Sequence, residues 1–293
     1  MNTNSTAPAG TVVVGTDGTA TALHAVEWAV VEAGARGVPL RIVHAAPYAT
    51  DAPGRRRAAT LLARAFTVAH RRAPAVETHT ELIVDEPVVG LVRASENAGL
   101  LVIGIIGERT GDVVLGSVAP AVTGAAHCPV TVVRRGHRTD GAHAIVVVGV
   151  ESAPADAAAL RVAFAEADVH DARLVVLHTR PFPSPSGADP APVDLAALAP
   201  WSSRHPGVPV EVRVVHGTPA EQLLHAAHEA QMVVVAHRGR SAAARAVAGS
   251  VGRGLLRSSA CPVTVVHRDL VPAASSAHHS ADYVDPHDRT QLW

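Results

Sequence analysis

The segment Leu100-Leu-Val-Ile-Gly104 is an apolar run of strand length that ends at a glycine. A glycine-containing loop follows, and Gly116-Ser117-Val118 then opens a segment with the pattern of a helix. A strand, a glycine loop and a helix start form a cradle for phosphate, because free backbone N–H groups and the helix dipole both face the anion. The segment therefore predicts an α/β unit with an anion site at its loop.

A similar block follows Met232 and contains Gly239 and Gly249-Ser250-Val251. The two halves of the chain match at a nearly constant offset over four blocks. The matched pairs are 12–15 with 146–149, His44 with His178, 116–118 with 249–251, and 128–133 with 261–266. Self-similarity at a fixed spacing is typical of an internal duplication.

Each half alternates short apolar runs with amphipathic segments, which predicts a doubly wound α/β domain with a parallel sheet covered by helices on both faces. The first helix is expected from about residue 20 to residue 35, with Thr19 as its cap, and further helices are expected over 55–72 and 154–169. The predicted strands are 11–15, 40–45, 76–84, 100–103 and 130–133, then 144–149, 173–178, 208–215, 232–235 and 263–266.

The 293 residues suffice for two such domains. We expect a disordered leader over 1–10, a first domain over 11–135 and a second domain over 144–268. A polar linker over 136–143 joins the two domains, and a polar, histidine-containing tail over 269–293 is expected to be disordered.

Composition narrows the function. The net charge is −1 with acids and bases mixed, which argues against nucleic-acid and membrane-surface proteins. No signal peptide or membrane-length apolar run is visible, so a soluble cytoplasmic protein is expected. The two cysteines allow no disulfide framework, and both are predicted to be small buried residues. The chain contains no lysine, which excludes a Walker-type phosphate loop and a Schiff-base site.

Ligands of open α/β sheets bind beyond the carboxyl ends of strands, where the strand order reverses. Asp17 follows the first strand and Gly104 ends the fourth. If those strands are neighbours, both residues face one crevice, which suits a nucleotide. Asp17 could instead only cap the following helix, and His44 and His178 are expected to be packed in the core rather than catalytic.

These features together resemble the universal stress protein family in its tandem form, from about residue 11 to residue 266. The family motif is Gly-x2-Gly-x9-Gly-Ser/Thr after the fourth strand, with an aspartate after the first strand. The resemblance implies two five-stranded parallel sheets of order 3-2-1-4-5. It also implies that the ligand is ATP or another adenine nucleotide, with or without Mg²⁺.

The resemblance implies a set of ligand contacts. Asp17 would contact the adenosine, the backbone at Ala45 would contact the adenine, and the Ser117 hydroxyl would reach a phosphate oxygen. The predicted contacts in the first half are Gly15, Thr16, Asp17, Ala45, Gly104, Gly107, Arg109, Gly116, Ser117 and Val118. Those in the second half are Glu151, Gly239, Gly249, Ser250 and Val251.

Both halves depart from the motif. In the first half only eight residues separate Gly107 from Gly116, and Glu108 brings a negative charge that Arg109 could offset. The second half keeps nine residues but has Glu151 in place of the aspartate and Ala236 in place of the first glycine. We therefore expect ATP in the first half before the second.

No catalytic constellation is visible, so the favoured hypothesis is a nucleotide-dependent stress regulator rather than an enzyme. An interaction scaffold that has lost nucleotide binding is the alternative, and an enzyme of the wider adenine-nucleotide hydrolase type is a third. Family precedent places the last strands, 129–133 and 262–266, at the contact between the two domains. Two chains are expected to associate as a homodimer that acts on an unidentified protein partner.

Overall fold

A computed structural model describes residues 10–105, 117–134, 144–180, 193, 195–237 and 250–270. The expected leader, linker and tail lie outside these residues, apart from a few positions at their edges. Elements are numbered in chain order over the described residues.

The described strands agree with the predicted ones to within two residues at every end. They are β1 (Val12–Gly15), β2 (Leu40–Ala45), β3 (Thr78–Ile83), β4 (Leu100–Gly104), β5 (Val130–Val133), β6 (Ile145–Val150), β7 (Arg173–Arg180), β8 (Val210–His216), β9 (Met232–His237) and β10 (Val263–His267). The helices are α1 (Ala20–Arg36), α2 (Ala52–Arg72), α3 (Pro87–Ala94), α4 (Val118–Thr123), α5 (Ala157–Val169), α6 (Ala199–Ser202), α7 (Pro219–Ala226) and α8 (Ser250–Ser258). None of these helices combines the length and the apolar character needed to cross a bilayer.

The ten strands form one sheet in the order β3-β2-β1-β4-β5-β10-β9-β6-β7-β8. Each half is parallel and has the predicted order 3-2-1-4-5, so the fold class is confirmed. The two halves meet where β5 and β10 pair antiparallel, with Val132 opposite Val263 and Val130 opposite Val265. The predicted contact between the last strands is therefore a continuous hydrogen-bonded sheet rather than two sheets packed together.

The central strands are short runs of β-branched residues because helices cover them on both faces. In β1, Val12 and Val14 belong to the core beneath α1 and α5, whereas Val13 belongs to the core beneath α3 and α7. All three valines are fully buried. A continuous apolar run is thus what this position in the sheet requires.

Two helices begin away from their predicted start, and a capping side chain explains each case. α2 was expected from Arg55 but follows Asp51, whose carboxylate accepts a hydrogen bond from the Gly54 N–H at 2.8 Å. α5 was expected from residue 154 but begins at Ala157. The buried Asp156 carboxylate accepts hydrogen bonds from the backbone N–H groups of Glu151 and Ser152, which holds the preceding turn out of the helix.

Both cysteines are buried at the start of a strand, as expected. Cys128 precedes β5 and Cys261 precedes β10, and each is about 2 % exposed or less. Burial raises the pKa of both thiols to about 12, because a thiolate would lose its hydration in the core.

We predict that neither thiol reacts with a thiol reagent at pH 8 in the folded protein, since the thiolate is the nucleophile and both are protonated and covered. Two thiols per chain should react at once in denaturant. Counting modified thiols by mass spectrometry checks this, and rapid native labelling of either cysteine would contradict it.

The pairing of β5 with β10 also buries a hydroxyl pair. Thr131 and Thr264 lie opposite each other, both fully buried, with their Oγ1 atoms 2.8 Å apart. Thr264 Oγ1 also lies 3.2 Å from the sulfur of Met232 and can donate to it. In that arrangement the Thr131 hydroxyl donates to Thr264.

Thr264→Val should lower the unfolding free energy by about 1–3 kcal/mol, because it leaves the buried Thr131 hydroxyl without its acceptor. Adding Thr131→Val should recover part of that loss, since no orphaned hydroxyl then remains. Urea denaturation of the two single variants and the double variant measures the coupling. Strictly additive losses would rule out the pair as a hydrogen-bonded unit.

Candidate functional site

β1 and β4 are neighbours in the sheet, as a crevice shared by Asp17 and Gly104 requires. Gly15 pairs with Ile103, so the turn after β1 and the end of β4 lie at the same edge of the sheet. In the second half β6 and β9 are likewise neighbours, with Gly149 opposite Val235. Each half therefore has a crevice at the carboxyl ends of its two central strands.

Thr16 builds the turn after β1. Its N–H donates to the Val43 carbonyl at 2.9 Å, which extends the pairing of β1 with β2 by one residue. Its hydroxyl oxygen accepts a hydrogen bond from the Gly18 N–H at 3.2 Å. Thr16 is 6 % exposed, so its side chain stabilises the turn from its buried side.

Asp17 is exposed and takes part in starting α1. Its Oδ1 accepts hydrogen bonds from the Thr19 N–H at 2.9 Å and from the Thr19 hydroxyl at 2.7 Å. Thr19 then caps α1 by accepting from the Ala22 N–H at 3.3 Å. Within the described residues no hydrogen bond reaches Asp17 Oδ2. One carboxylate oxygen thus supports the capping residue Thr19 rather than capping α1 itself, and the other makes no hydrogen bond to a described residue.

Gly15 and Gly104 were predicted to contact the ligand, and the structure gives both a packing role. A Cβ on Gly104 would lie 2.9 Å from the Thr21 carbonyl oxygen and 3.2 Å from the Ala22 Cα, both in the first turn of α1. A Cβ on Gly15 would lie 2.8 Å from a methyl carbon of Leu91 in α3. These glycines let two helices approach the sheet, whether or not a ligand is bound.

Gly18 belongs to the same turn and was not singled out from the sequence. Its φ of +78° favours glycine, and a Cβ would lie 2.8 Å from Leu61 Cγ of α2. The dipeptide Asp17-Gly18 after a buried strand is a turn signal that could have identified it.

His44 connects β2 to this turn. Its Nδ1 lies 2.8 Å from the Thr16 carbonyl oxygen, which can only accept, so Nδ1 carries the proton and Nε2 accepts from the Tyr48 hydroxyl at 2.9 Å. His178 makes the same bond in the second half, from Nδ1 to the Val150 carbonyl at 3.0 Å. Both histidines are buried, which confirms their packing role.

Tyr48 is a residue that sequence reasoning missed. This residue is 41 % exposed and lies near the carboxyl end of β2, three positions after the half-buried Ala45. The guanidinium carbon of Arg57 lies 5.3 Å from the ring centroid, so one face of the ring is covered by a cation. The isolated position of this tyrosine in a chain with few aromatic residues was the available signal.

In the second half an arginine engages the predicted acidic residue. Arg268, directly after β10, donates through Nη2 to Glu151 Oε2 at 2.9 Å and to Asp156 Oδ1 at 2.8 Å. Asp156 is 2 % exposed and also holds the Glu151 N–H at 2.6 Å. The carboxylate of Glu151 is thus part of an ion-pair network that joins the turn after β6 to the residue after β10.

The predicted loop contacts Gly107, Arg109, Gly116, Gly239 and Gly249 lie outside the described residues, as does the side chain of Ser250. Ser117 is exposed at the N-cap of α4, and its hydroxyl makes no capping hydrogen bond. Val118 and Val251 are half-buried and pack on the core beneath α4 and α8. These valines anchor the two helix starts, and the Ser117 hydroxyl remains available for another partner.

The sequence was compared with protein families. The Universal stress protein family matches the chain twice, over residues 9–134 and 144–267. Together with the duplicated fold and the two crevices, this match shows that the chain belongs to the universal stress protein family and has two tandem domains.

Individual relatives agree with this assignment. A universal stress protein of Mycobacterium tuberculosis H37Rv is 33% identical over 290 residues, which cover 88% of this chain and 97% of the relative. A second one from the same organism is 31% identical over 288 residues, with the same coverage. The crystal structure of a universal stress protein from Archaeoglobus fulgidus has the same fold, with a TM-score of 0.73 at 18% identity over 89% of this chain and 99% of that chain.

Gly104→Ala should destabilise the ligand-free protein by about 1–3 kcal/mol. The new methyl group would clash with the backbone of α1, which cannot relieve the clash by rotating as a side chain can. Gly207→Ala is the matched control, since nothing lies within 4 Å of its added Cβ. Thermal unfolding without nucleotide measures both. An unchanged Gly104→Ala variant would show that the glycine serves only ligand approach.

Proposed function

We propose that the crevice of the first domain binds an adenine nucleotide such as ATP, and that its occupancy regulates the contacts of this stress-response protein. The observation that carries the proposal is the pairing of β1 with β4. This pairing brings Asp17, which follows β1, and Gly104, which ends β4, to one edge of the sheet. A negatively charged turn beside the start of a helix suits a ligand with a sugar at one end and phosphates at the other.

The electrostatics of the two crevices favour the first half. Asp17 Oδ2 has no partner among the described residues and can accept hydrogen bonds from ribose hydroxyl groups. The Glu151 carboxylate is instead engaged by Arg268, and a nucleotide hydroxyl would have to displace a charged donor. Breaking a charge-assisted hydrogen bond costs more than breaking a neutral one.

The base end of the first crevice also has suitable groups. Ala45 ends β2 next to β1, and the half-exposed Tyr48 ring follows three residues later. The bond from Tyr48 to His44 and from His44 to Thr16 ties this aromatic group to the turn that carries Asp17. An aromatic face held in this way supports stacking of a planar base.

Regulation rather than turnover fits the groups at this edge. The sequence contains no recognisable catalytic motif. The described crevice residues also contain no nucleophile paired with a base, so they give no support to an enzymatic role. A nucleotide that contacts both the β1 turn and the start of α4 would instead hold these two described segments in one arrangement. The scaffold alternative is favoured by one observation, the ion pair of Arg268 with Glu151, the acidic residue of the second crevice.

Isothermal titration with Mg-ATP should detect binding to the full chain, and Asp17→Asn should weaken it by about 10–100-fold. This range corresponds to the roughly 1.5–3 kcal/mol of a hydrogen bond to a charged group. Asparagine keeps the carbonyl oxygen that holds Thr19, so the variant should retain the turn. Ser117→Ala should also weaken binding without loss of stability, because its hydroxyl does not cap α4.

Glu151→Gln is the matched control in the second half and should leave ATP affinity unchanged. If Glu151→Gln abolished binding and Asp17→Asn did not, the ligand would belong to the second domain. If the wild-type chain gave no heat of binding at millimolar ATP, the proposed nucleotide binding would be ruled out and the interaction-scaffold alternative would be favoured. Replacing Gly116 and Gly249 by alanine, one at a time, extends the same comparison to the two loops.

A further inference from the structure

A second cluster of polar groups lies on α1 and α5, where the two domains meet and far along each helix from the crevices. It consists of Glu32 and Arg36 from α1, Glu166 from α5 and His170, which follows α5. We refer to these four residues as the interdomain quartet. Both glutamate side chains are 2 % exposed, whereas Arg36 and His170 are about one-fifth exposed.

The quartet is a product of the duplication. The offset of 134 residues that relates His44 to His178 also relates Glu32 to Glu166 and Arg36 to His170. Each half therefore contributes a glutamate and, one helical turn later, a nitrogen-bearing side chain. The two halves differ at the second position, where a fixed cation in the first half is replaced by an imidazole in the second.

Arg36 holds one oxygen of each glutamate. Its Nε donates to Glu32 Oε1 at 2.8 Å, and its Nη2 donates to Glu166 Oε1. The other two carboxylate oxygens face His170. Its Nε2 lies 3.0 Å from Glu32 Oε2 and 3.9 Å from Glu166 Oε2.

Glu166 Oε2 is the unusual atom in this arrangement. It is buried and has no hydrogen-bond partner among the described residues. A buried carboxylate oxygen without a partner is costly, so a cation that contacted this oxygen and the two atoms it faces would stabilise the quartet.

The charges of the quartet lead to the same conclusion. With a neutral His170, two carboxylates face one guanidinium, which leaves one buried negative charge in excess. An unbalanced buried charge of this kind is strongly destabilising unless a further cation compensates it.

We propose that Glu32 Oε2, Glu166 Oε2 and His170 Nε2 bind one Zn²⁺ ion between the two domains. The three atoms lie within 4.8 Å of one another, as the ligands of a single ion must. Zn²⁺ accepts carboxylate oxygen and imidazole nitrogen at about 2.0–2.2 Å, and the partly exposed side of the quartet leaves a fourth position for water. Arg36 would then orient both carboxylates through their remaining oxygens.

The donor set favours zinc over the commoner divalent cations. Mg²⁺ and Ca²⁺ prefer all-oxygen shells, whereas imidazole suits Zn²⁺ and neighbouring transition metals. The rival occupant is a proton on His170. Burial lowers the pKa of this imidazole, but its hydrogen bond with Glu32 outweighs that effect and raises the pKa overall.

The test uses the full-length chain, stripped with a chelator and titrated with Zn²⁺ in the absence of nucleotide. Calorimetry should show a site with one ion per chain, and Co²⁺ in its place should give visible absorption. His170→Arg should abolish this site, because it removes the nitrogen ligand. That variant places an arginine at the position of the second half that is equivalent to Arg36. Two guanidinium groups then face two carboxylates, so the variant should stay folded. The affinity for Zn²⁺ should fall more than tenfold in this variant. Replacing a residue that only hydrogen-bonds to a metal ligand already costs about 10–100-fold in metal affinity.

Two further variants separate zinc binding from structural effects. Glu166→Gln keeps the shape of the side chain and should remove the site without unfolding the chain. His79→Arg is the matched control, because His79 also contacts a glutamate, Glu77 at 2.9 Å, but on the surface. It should leave the site intact.

Other histidines of the chain, including His278 and His279, are the same in all variants, so only the difference between variants is informative. Equal zinc binding by the wild type and His170→Arg would overturn the proposal. So would a wild-type chain that binds no Zn²⁺ tightly, and a protonated His170 would then supply the second positive charge. Either outcome leaves the ATP titration of the first crevice unaffected.

Discussion

The pairing of β5 with β10 is the interaction on which the rest of the structure depends. Each domain alone would end in a short apolar strand with one unpaired edge, and such an edge is prone to non-specific association. Antiparallel pairing satisfies both edges at once and leaves β3 and β8, the more exposed strands, at the outside of the sheet. It also sets the pseudo-two-fold relation that brings α1 to α5 and so creates the interdomain quartet.

The crevices show how binding features and packing features share residues. Gly15 has a counterpart in Gly149, and the methyl groups of Leu91 and Leu223 occupy the space beside them in the same way. The glycine at the end of a central strand is thus explained by helix approach in both halves, although the acids that follow these strands have different partners, Thr19 for Asp17 and Arg268 for Glu151. A glycine motif alone is therefore stronger evidence for the fold than for the binding of a ligand.

After duplication the two halves kept their strands and diverged in what surrounds them. Strand residues are buried on both faces, so few substitutions fit there. Loop and helix-end residues are freer, and the exchange of roles at Arg36 and His170 and the recruitment of Arg268 to Glu151 both occur there. The same architecture therefore holds two crevice carboxylates with different hydrogen-bond partners and an asymmetric charged cluster.

The sequence by itself determined the duplication, the α/β class, the strand order through the family resemblance, and nearly all strand positions, because hydrophobic periodicity and turn residues are local signals. It could not reveal that Gly104 packs against Thr21, that Arg268 reaches Glu151, or that Glu32 meets Glu166. Those contacts join residues that are 83 to 134 positions apart. Only the tertiary structure decides them, because the geometry of the merged sheet, rather than any local pattern, sets which side chains share a buried space.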